Sequence, residues 1–104
     1  MPVEGPKVLA LELFFNGFVE LHCMKKFPNI TKLVLFGSDL SALFRVDFGS
    51  CLTELWLCET QLKRIPDLTA CPHIEMLYLY GNKLTKIDNL QHLKNLQVSR
   101  HRFF

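Results

Sequence analysis

The chain lacks the features that mark membrane, secreted and nucleic-acid-binding proteins. No uninterrupted apolar run approaches the roughly 18 residues that a bilayer-spanning helix needs. The N-terminal stretch MPVEGPKVLALELFF carries an acid and two prolines, and it has neither the basic start nor the small-residue cleavage site of a signal peptide. The net charge of +2 is too small to favour nucleic acid or a membrane as a partner. We therefore expect a single cytoplasmic or nuclear domain.

Signatures of catalysis and metal binding are also missing. The cysteines form no CxxC pair and have no histidine at zinc-finger spacing, so free thiols and no metal site are expected at Cys23, Cys51, Cys58 and Cys71. No GxGxxG, GxxxxGKS, HExxH or GxSxG string occurs. The four histidines have no carboxylate pair placed near them by the sequence pattern. The sequence thus predicts a protein that is not an enzyme, with no catalytic residues and no cofactor.

What the chain does contain is a repeat of 22 residues. In the copy IEMLYLYGNKLTKIDNLQHL, the apolar positions are Ile74, Leu77, Leu79, Leu84, Ile87, Leu90 and Leu93. Three successive shifts of 22 residues place apolar residues at every equivalent position except Gly49. The gap between Leu79 and Leu84 breaks both an amphipathic helix and a heptad pattern. The predicted divisions are an N-terminal extension at 1–7, repeats at 8–29, 30–51, 52–73 and 74–95, and an interrupted fifth repeat at 96–104.

Each repeat begins with the alternating apolar pattern of a strand and ends with apolar residues three positions apart. The LxL part predicts short strands near 10–14, 32–36, 54–58 and 76–80, and the later steps suit turns or 3₁₀-like backbone. Stacking the coils buries their leucines and aligns the strands in parallel. In the second repeat, Phe48 is expected to fill the space that Gly49 leaves. At Cys71 we expect a buried, inert thiol.

The ninth position of each repeat is small and hydrogen-bonding: Asn16, Ser38, Thr60 and Asn82. An Asn there can satisfy backbone groups of its own turn and of the neighbouring turn. Since Ser38 and Thr60 offer only a hydroxyl, the two middle repeats should hold this ladder less well. Asp67 and Asp88 each follow a core residue by two positions and are expected to accept a bond from a backbone N–H.

These residues resemble the leucine-rich repeat, LxxLxLxxNxLxxhxxLxxhxxh, in the 22-residue subclass typified by the regulatory subunit of protein phosphatase one. LTELWLCETQLKRIPDLTAC and IEMLYLYGNKLTKIDNLQHL carry the likeness, which extends from Val8 to about Leu96. The resemblance implies an α/β solenoid, a short curved right-handed superhelix with parallel strands on its concave face and turns or 3₁₀ helices on its convex face. It also implies a non-catalytic scaffold, and relatives in cytoskeletal and ciliary assemblies.

Partner recognition should fall to the outward-pointing strand positions, because the inward positions form the core. We call these outward positions the concave sheet face. Half of them are Phe, Trp, Tyr or Met, where polar residues would be usual. The predicted partner-binding residues are Phe14, Val34, Phe36, Glu54, Trp56, Cys58, Met76, Tyr78 and Tyr80, with Glu12 and Lys32 at the rim. An alternative interpretation is that these aromatic residues only pack on one another and cover the sheet.

Several functional alternatives stay open. The favoured one is a scaffold that binds a protein partner; the others are an inactive truncated product without a specific partner, and a ribonucleoprotein adaptor. The C-terminal LQVSRHRFF puts Ser99 where leucine belongs, so it is read as a truncated repeat, as a lid formed by Phe103 and Phe104, or as an open edge that self-associates. Basic residues such as Lys63 and Arg64 are interpreted as a solvated face.

Overall fold

The leucine pattern is realised as four short parallel strands joined by return segments. The computed structural model of the chain describes residues 5–18 and 21–97, with side chains described for all of these except 15–18, 22 and 23. The strands are β1 (Ala10–Phe18), β2 (Lys32–Asp39), β3 (Glu54–Cys58) and β4 (Met76–Tyr78). Two 3₁₀ helices occur in the described residues, at Gly5–Lys7 and Leu21–Lys26.

The strands form one sheet in the order β1-β2-β3-β4, and every neighbouring pair is parallel. Residues one repeat apart are paired, as in the row Leu13, Leu35 and Leu57. A register shift between Phe14 and Gly17 lets the longer β1 continue beside the end of β2. This one-coil-after-another topology confirms the predicted leucine-rich repeat solenoid.

The core lies between the sheet and the return segments. The LxL leucines are each no more than 1% exposed, so both leucines of each step point inward as predicted: Leu33 and Leu35, Leu55 and Leu57, and Leu77 and Leu79. At about 25 cal/mol per Å² of buried apolar surface, each such leucine contributes about 2 kcal/mol towards folding. Ile87 is different: it is 41% exposed, because no described coil packs beyond it, and the prediction of a core position there is wrong.

The second and third repeats show how irregular positions are filled. Phe48 is buried in the core beside Gly49, which confirms the expected compensation. Gly49 has a φ of 86°, and a Cβ there would lie 3.2 Å from Cβ of Leu52. Cys71 is fully buried, and this burial raises the pKa of its thiol to about 12, so the group is an inert thiol as expected.

Asn82 holds the turn that follows the strands. Its Oδ1 accepts hydrogen bonds from the backbone N–H groups of Thr60 (2.9 Å) and Leu62 (3.1 Å) and lies 2.9 Å from the Thr60 hydroxyl. Its Nδ2 donates to the carbonyls of Leu57 (2.6 Å) and Leu79 (2.7 Å). Two repeats before Asn82, the Ser38 hydroxyl is buried without a partner, so the ladder weakens there as predicted. The Asn16 side chain lies outside the described residues.

A second ladder crosses the entry to each strand. The Thr31 amide donates to the Leu9 carbonyl at 2.8 Å, Thr53 to Thr31 at 2.9 Å, Glu75 to Thr53 at 2.8 Å and Gln97 to Glu75 at 2.8 Å. Each bond joins residues one repeat apart. The first residues of the predicted fifth repeat therefore continue the same coil, while Ser99, Phe103 and Phe104 lie outside the described residues.

The two aspartates of the return segments behave differently. Asp67 Oδ1 accepts a bond from the Thr69 amide at 2.9 Å, as predicted, and this bond holds the pKa of Asp67 below its usual value. Asp88 makes no such cap: its Oδ1 is buried without a partner, and its Oδ2 lies 3.5 Å from Lys86 Nζ and 3.9 Å from Arg64. The prediction of a backbone cap at Asp88 is wrong.

Candidate protein-interaction surface

Strand register gathers the predicted partner-binding side chains into adjacent rows on the concave sheet face. One row contains Glu12, Val34, Trp56 and Tyr78, and the next contains Phe14, Phe36 and Cys58. Phe14 is 66% exposed, and the partly exposed members are Phe36, Glu54, Trp56, Met76, Tyr78 and Tyr80. Residues that are distant in sequence thus share one surface because the repeats stack in register.

The closest ring contact described on this surface joins Trp56 and Tyr78. Their rings stack with centroids 3.9 Å apart and planes 25° apart. The Trp56 indole N–H donates a 2.7 Å hydrogen bond to Glu54 Oε2. Ring stacking is worth about 0.5–1.5 kcal/mol beyond the area it buries. The indole is thereby held in one orientation before any partner arrives.

A second group of rings continues across the sheet. Phe14 and Phe36 lie 5.9 Å apart in a tilted arrangement, and Phe36 meets Tyr80 edge-on at 6.2 Å. The rings therefore do pack laterally on one another, as the alternative interpretation expected. They still leave Phe14 largely in solvent, so lateral packing accounts for only part of the surface.

Charged residues form a short chain at the strand entry. Lys32 Nζ lies 3.7 Å from Glu12 Oε1 and 3.7 Å from Glu54 Oε2. These pairs are partly exposed, so each contributes at most about 1 kcal/mol to stability. Their main effect is local neutralisation, since two carboxylates share one ammonium group and leave this rim with a single negative charge.

An open groove of about 270 Å³ lies between the rings and the charges. Its lining consists of Glu12, Phe14, Lys32, Val34, Phe36, Trp56 and Tyr80. Aromatic and aliphatic carbon dominates the walls, and polar groups stand at one end. Such a groove suits an apolar side chain of a partner better than a charged small molecule.

Two predicted contact residues need correction. Val34 is only 6% exposed and forms the floor of the groove under the larger rings. Cys58 is fully buried, with its Sγ 3.5 Å from the Tyr78 carbonyl. Both side chains point away from the core, on the outward side of their strands, but the neighbouring aromatic rings cover them. The alternation of side chains along one strand predicts which way a side chain points, but it does not predict whether neighbouring side chains cover it.

The buried thiol also affects its neighbour. Burial raises the pKa of Cys58 to about 11, so the group stays protonated at neutral pH. Desolvation, followed by the adjacent Cys58, raises the pKa of Tyr80. The Tyr80 phenol therefore remains a neutral hydrogen-bond donor at the mouth of the groove.

The described residues offer no site for metal chemistry and no membrane-spanning helix. Within 5–18 and 21–97, no three His, Cys, Asp or Glu side chains come close enough together to hold a metal ion. Over the same ranges no helix is long and apolar enough to cross a bilayer.

Comparison with known families agrees with this geometry. Residues 52–95 match a family described as Leucine Rich repeats (2 copies). The chain has the fold of a leucine-rich repeat solenoid. The matched residues hold β3, β4 and the Asn82 turn, and domains of this kind commonly bind proteins as non-catalytic scaffolds.

A curated protein from Dictyostelium discoideum, a probable inactive serine/threonine-protein kinase, is 31% identical over 99 residues. The match covers 91% of this chain and 5% of that relative. The chain thus spans a small part of the length of the curated relative that it matches. No solved structure matches the chain.

Proposed function

We propose that the leucine-rich repeat solenoid is a non-catalytic interaction module that binds a protein partner on its concave sheet face. The observation that carries this proposal is the open groove of about 270 Å³ with Trp56 fixed in its wall. Rigid aromatic side chains beside an apolar groove are typical of binding hot spots.

Preorganisation supports this function. Stacking on Tyr78 and the bond to Glu54 hold the Trp56 ring in place, so a partner does not have to immobilise it. Ordering a mobile side chain at an interface costs about 0.5–1.5 kcal/mol. The surface therefore retains more of the favourable energy of contact.

The groove also favours a particular kind of partner segment. Lys32 already neutralises one of the two negative charges of Glu12 and Glu54, so the groove does not depend on a charged ligand for stability. We propose a helix or loop that inserts one apolar side chain between Phe14 and Trp56. Such a segment also places a donor or acceptor near the Tyr80 hydroxyl.

The test is a double substitution, Trp56→Ala with Tyr78→Ala, in the full chain expressed in cells. Crosslinking mass spectrometry before and after the change identifies proteins that touch the concave sheet face. We expect their recovery to fall at least tenfold, with cooperative unfolding preserved. The matched control is Ile87→Ala, which removes an apolar side chain that is 41% exposed and lies on a return segment, away from this face. Equal recovery of the same proteins with both variants would overturn the proposal.

Two finer assignments belong to the same proposal. The stretches FPNITKLVLF, CLTELWLCE and MLYLYGNKLTKIDNL are similar to the N-terminal repeats of leucine-rich repeat-containing protein 9, within the 22-residue subclass. From that resemblance we propose a cytoplasmic location and a partner in a cytoskeletal or ciliary assembly. Enrichment of axonemal or cytoskeletal proteins among the crosslinked partners supports this assignment, and their absence refutes it.

The same experiment also tests the other functions that the sequence left open. A chain without reproducible partners is an inactive product, and RNA that stays bound at high salt identifies a ribonucleoprotein adaptor. Self-association through the C-terminal edge is tested by light scattering after gel filtration, where a concentration-dependent dimer mass supports it.

A further inference from the structure

A second groove lies between the return segments of the second and third repeats, away from the concave sheet face. Its volume is about 300 Å³. The lining residues that matter here are Leu43, Phe44, Lys63, Arg64, Ile65 and Pro66. Leu43 and Ile65, like Phe44 and Pro66, are one repeat apart, but the sequence pattern did not indicate an open groove between their segments.

Backbone contacts hold the walls of this groove in place. The Asp67 amide donates to the Phe44 carbonyl at 2.8 Å, and the Val46 amide donates to the Asp67 carbonyl at 2.9 Å. Asn89 Nδ2 donates to the Ile65 carbonyl at 2.9 Å. The Phe44 ring nevertheless remains 75% exposed, the highest value among the large apolar side chains of the described residues. An exposed ring on a fixed backbone is a good contact for a partner.

The electrostatics of this groove are one-sided. Lys63 and Arg64 belong to its lining, which contains no carboxylate. Arg45 adds a third cation, with its guanidinium carbon 5.6 Å from the centroid of the Phe44 ring. These basic side chains are exposed, so they are free to reorient towards a ligand.

The nearby acids do not cancel this charge. Asp67 accepts its bond from the Thr69 amide and faces Arg45 and His92. Asp88 lies 3.9 Å from Arg64 and 3.5 Å from Lys86, whose side chains are 73% and 69% exposed. The Asp88 side chain is only 26% exposed, but Arg64 lies largely in solvent and its contact with Asp88 is long, so a carboxylate of a partner can also pair with Arg64.

We infer that this second groove binds an acidic peptide segment that carries an apolar side chain. Carboxylates of the segment pair with Lys63 and Arg64, and its apolar side chain packs between Phe44 and Pro66. Charge complementarity selects the acidic segment. Single-stranded nucleic acid fits less well, because successive bases need stacking aromatics and this groove offers one ring among aliphatic walls. The solenoid would then bring together two protein segments on different faces.

The experiment selects peptides from a random 12-residue phage library on the purified full chain. Enriched peptides are then synthesised with a fluorescent label and titrated by polarisation. We expect enrichment of Asp and Glu around a Leu, Ile or Phe. Affinity should weaken at least tenfold in the variant Lys63→Glu with Arg64→Glu, and severalfold when the salt rises from about 50 mM to 300 mM. Phe44→Ala should also weaken binding.

The matched control is Trp56→Ala with Tyr78→Ala, which alters the concave sheet face and should leave these acidic peptides bound. Circular dichroism melting of each variant checks that the exposed substitutions keep the fold. Selected peptides without an acidic bias, or with equal affinity for the charge-reversed variant, would refute the inference. A labelled oligouridine that binds more tightly than the peptides and competes with them would instead assign the groove to nucleic acid.

Discussion

Replacing Asn82 with alanine is the most direct test of how this solenoid is held together. The side chain touches both its own repeat and the preceding one, through Leu79 on one side and Leu57, Thr60 and Leu62 on the other. An alanine at this position removes the four bonds that the Asn82 side chain makes to two backbone N–H groups and two carbonyls. The Thr60 hydroxyl, with one proton to donate, retains the Leu57 carbonyl at 3.3 Å.

The expected loss follows from these four backbone bonds. A hydrogen bond between protein groups contributes about 1 kcal/mol net, and a buried group left unpaired costs about 1–3 kcal/mol. Asn82 is partly exposed, so water reaches some of the freed groups. We therefore expect Asn82→Ala to lower the free energy of unfolding by about 3–5 kcal/mol, a large share of the stability of a small domain.

Urea unfolding followed by circular dichroism measures this loss, with Ser38→Ala as the matched control. Ser38 occupies the same place two repeats earlier, and its buried hydroxyl has no partner. Removing it should change the free energy of unfolding by less than about 1 kcal/mol, or stabilise the fold slightly. Asn82→Asp keeps the acceptor but sets a carboxylate oxygen against two carbonyls, so it should be at least as harmful as alanine.

Two results would contradict this reasoning. One is a loss of less than about 1 kcal/mol for Asn82→Ala, which would mean that water replaces the side chain at no cost. The other is an equal loss for Ser38→Ala, which would mean that the position matters for packing and not for hydrogen bonding.

Three further measurements probe other parts of the fold. Gly81→Ala should cost about 1–3 kcal/mol in thermal unfolding, because the residue has a φ of 77° and an added Cβ would approach Glu59 Cγ to 2.5 Å; an unchanged melting temperature would argue against strain. Iodoacetamide labelling mapped by mass spectrometry at pH 7.5 should modify the exposed Cys51 and spare the buried Cys71 until the chain unfolds, and equal rates would refute the burial. The pKa of Asp67 is lowered from 3.8 in the fold, so its stabilising effect is present above that value and is lost as the pH falls below it. Asp67→Asn should remove this component of acid sensitivity, and an unchanged acid profile would contradict it.

The periodicity of the sequence was enough to predict the strands and the filling of the core. The LxL steps predicted four strands, and the structure has them in parallel with the leucines inside, because side chains alternate on a strand and a coil must bury its apolar side. The pairing of Gly49 with Phe48 was also predictable, since an absent side chain must be replaced by a neighbour if the core is to stay filled.

The errors share one cause. Val34 and Cys58 have the outward direction that their strand positions require, yet neighbouring rings cover them. Ile87 has the spacing of a core residue, yet no described coil covers it. The direction of a side chain is set by its own strand, whereas its burial depends on which side chains the adjacent repeats place beside it. The backbone cap predicted for Asp88 is absent, and its Oδ2 instead pairs with Lys86 of its own return segment and Arg64 of the preceding one.

The sequence by itself determined the repeat length, the parallel solenoid and the side of each strand that enters the core. These follow from local periodicity and from the need of every coil to bury its leucines. Only the tertiary structure decided that Trp56 is locked by Tyr78 and Glu54, that Lys32 is shared by two carboxylates, and that Phe44 and Arg64 border one groove. Those relations join residues a repeat or more apart or depend on rotamers, and rotamers are chosen by packing against neighbours that periodicity does not specify.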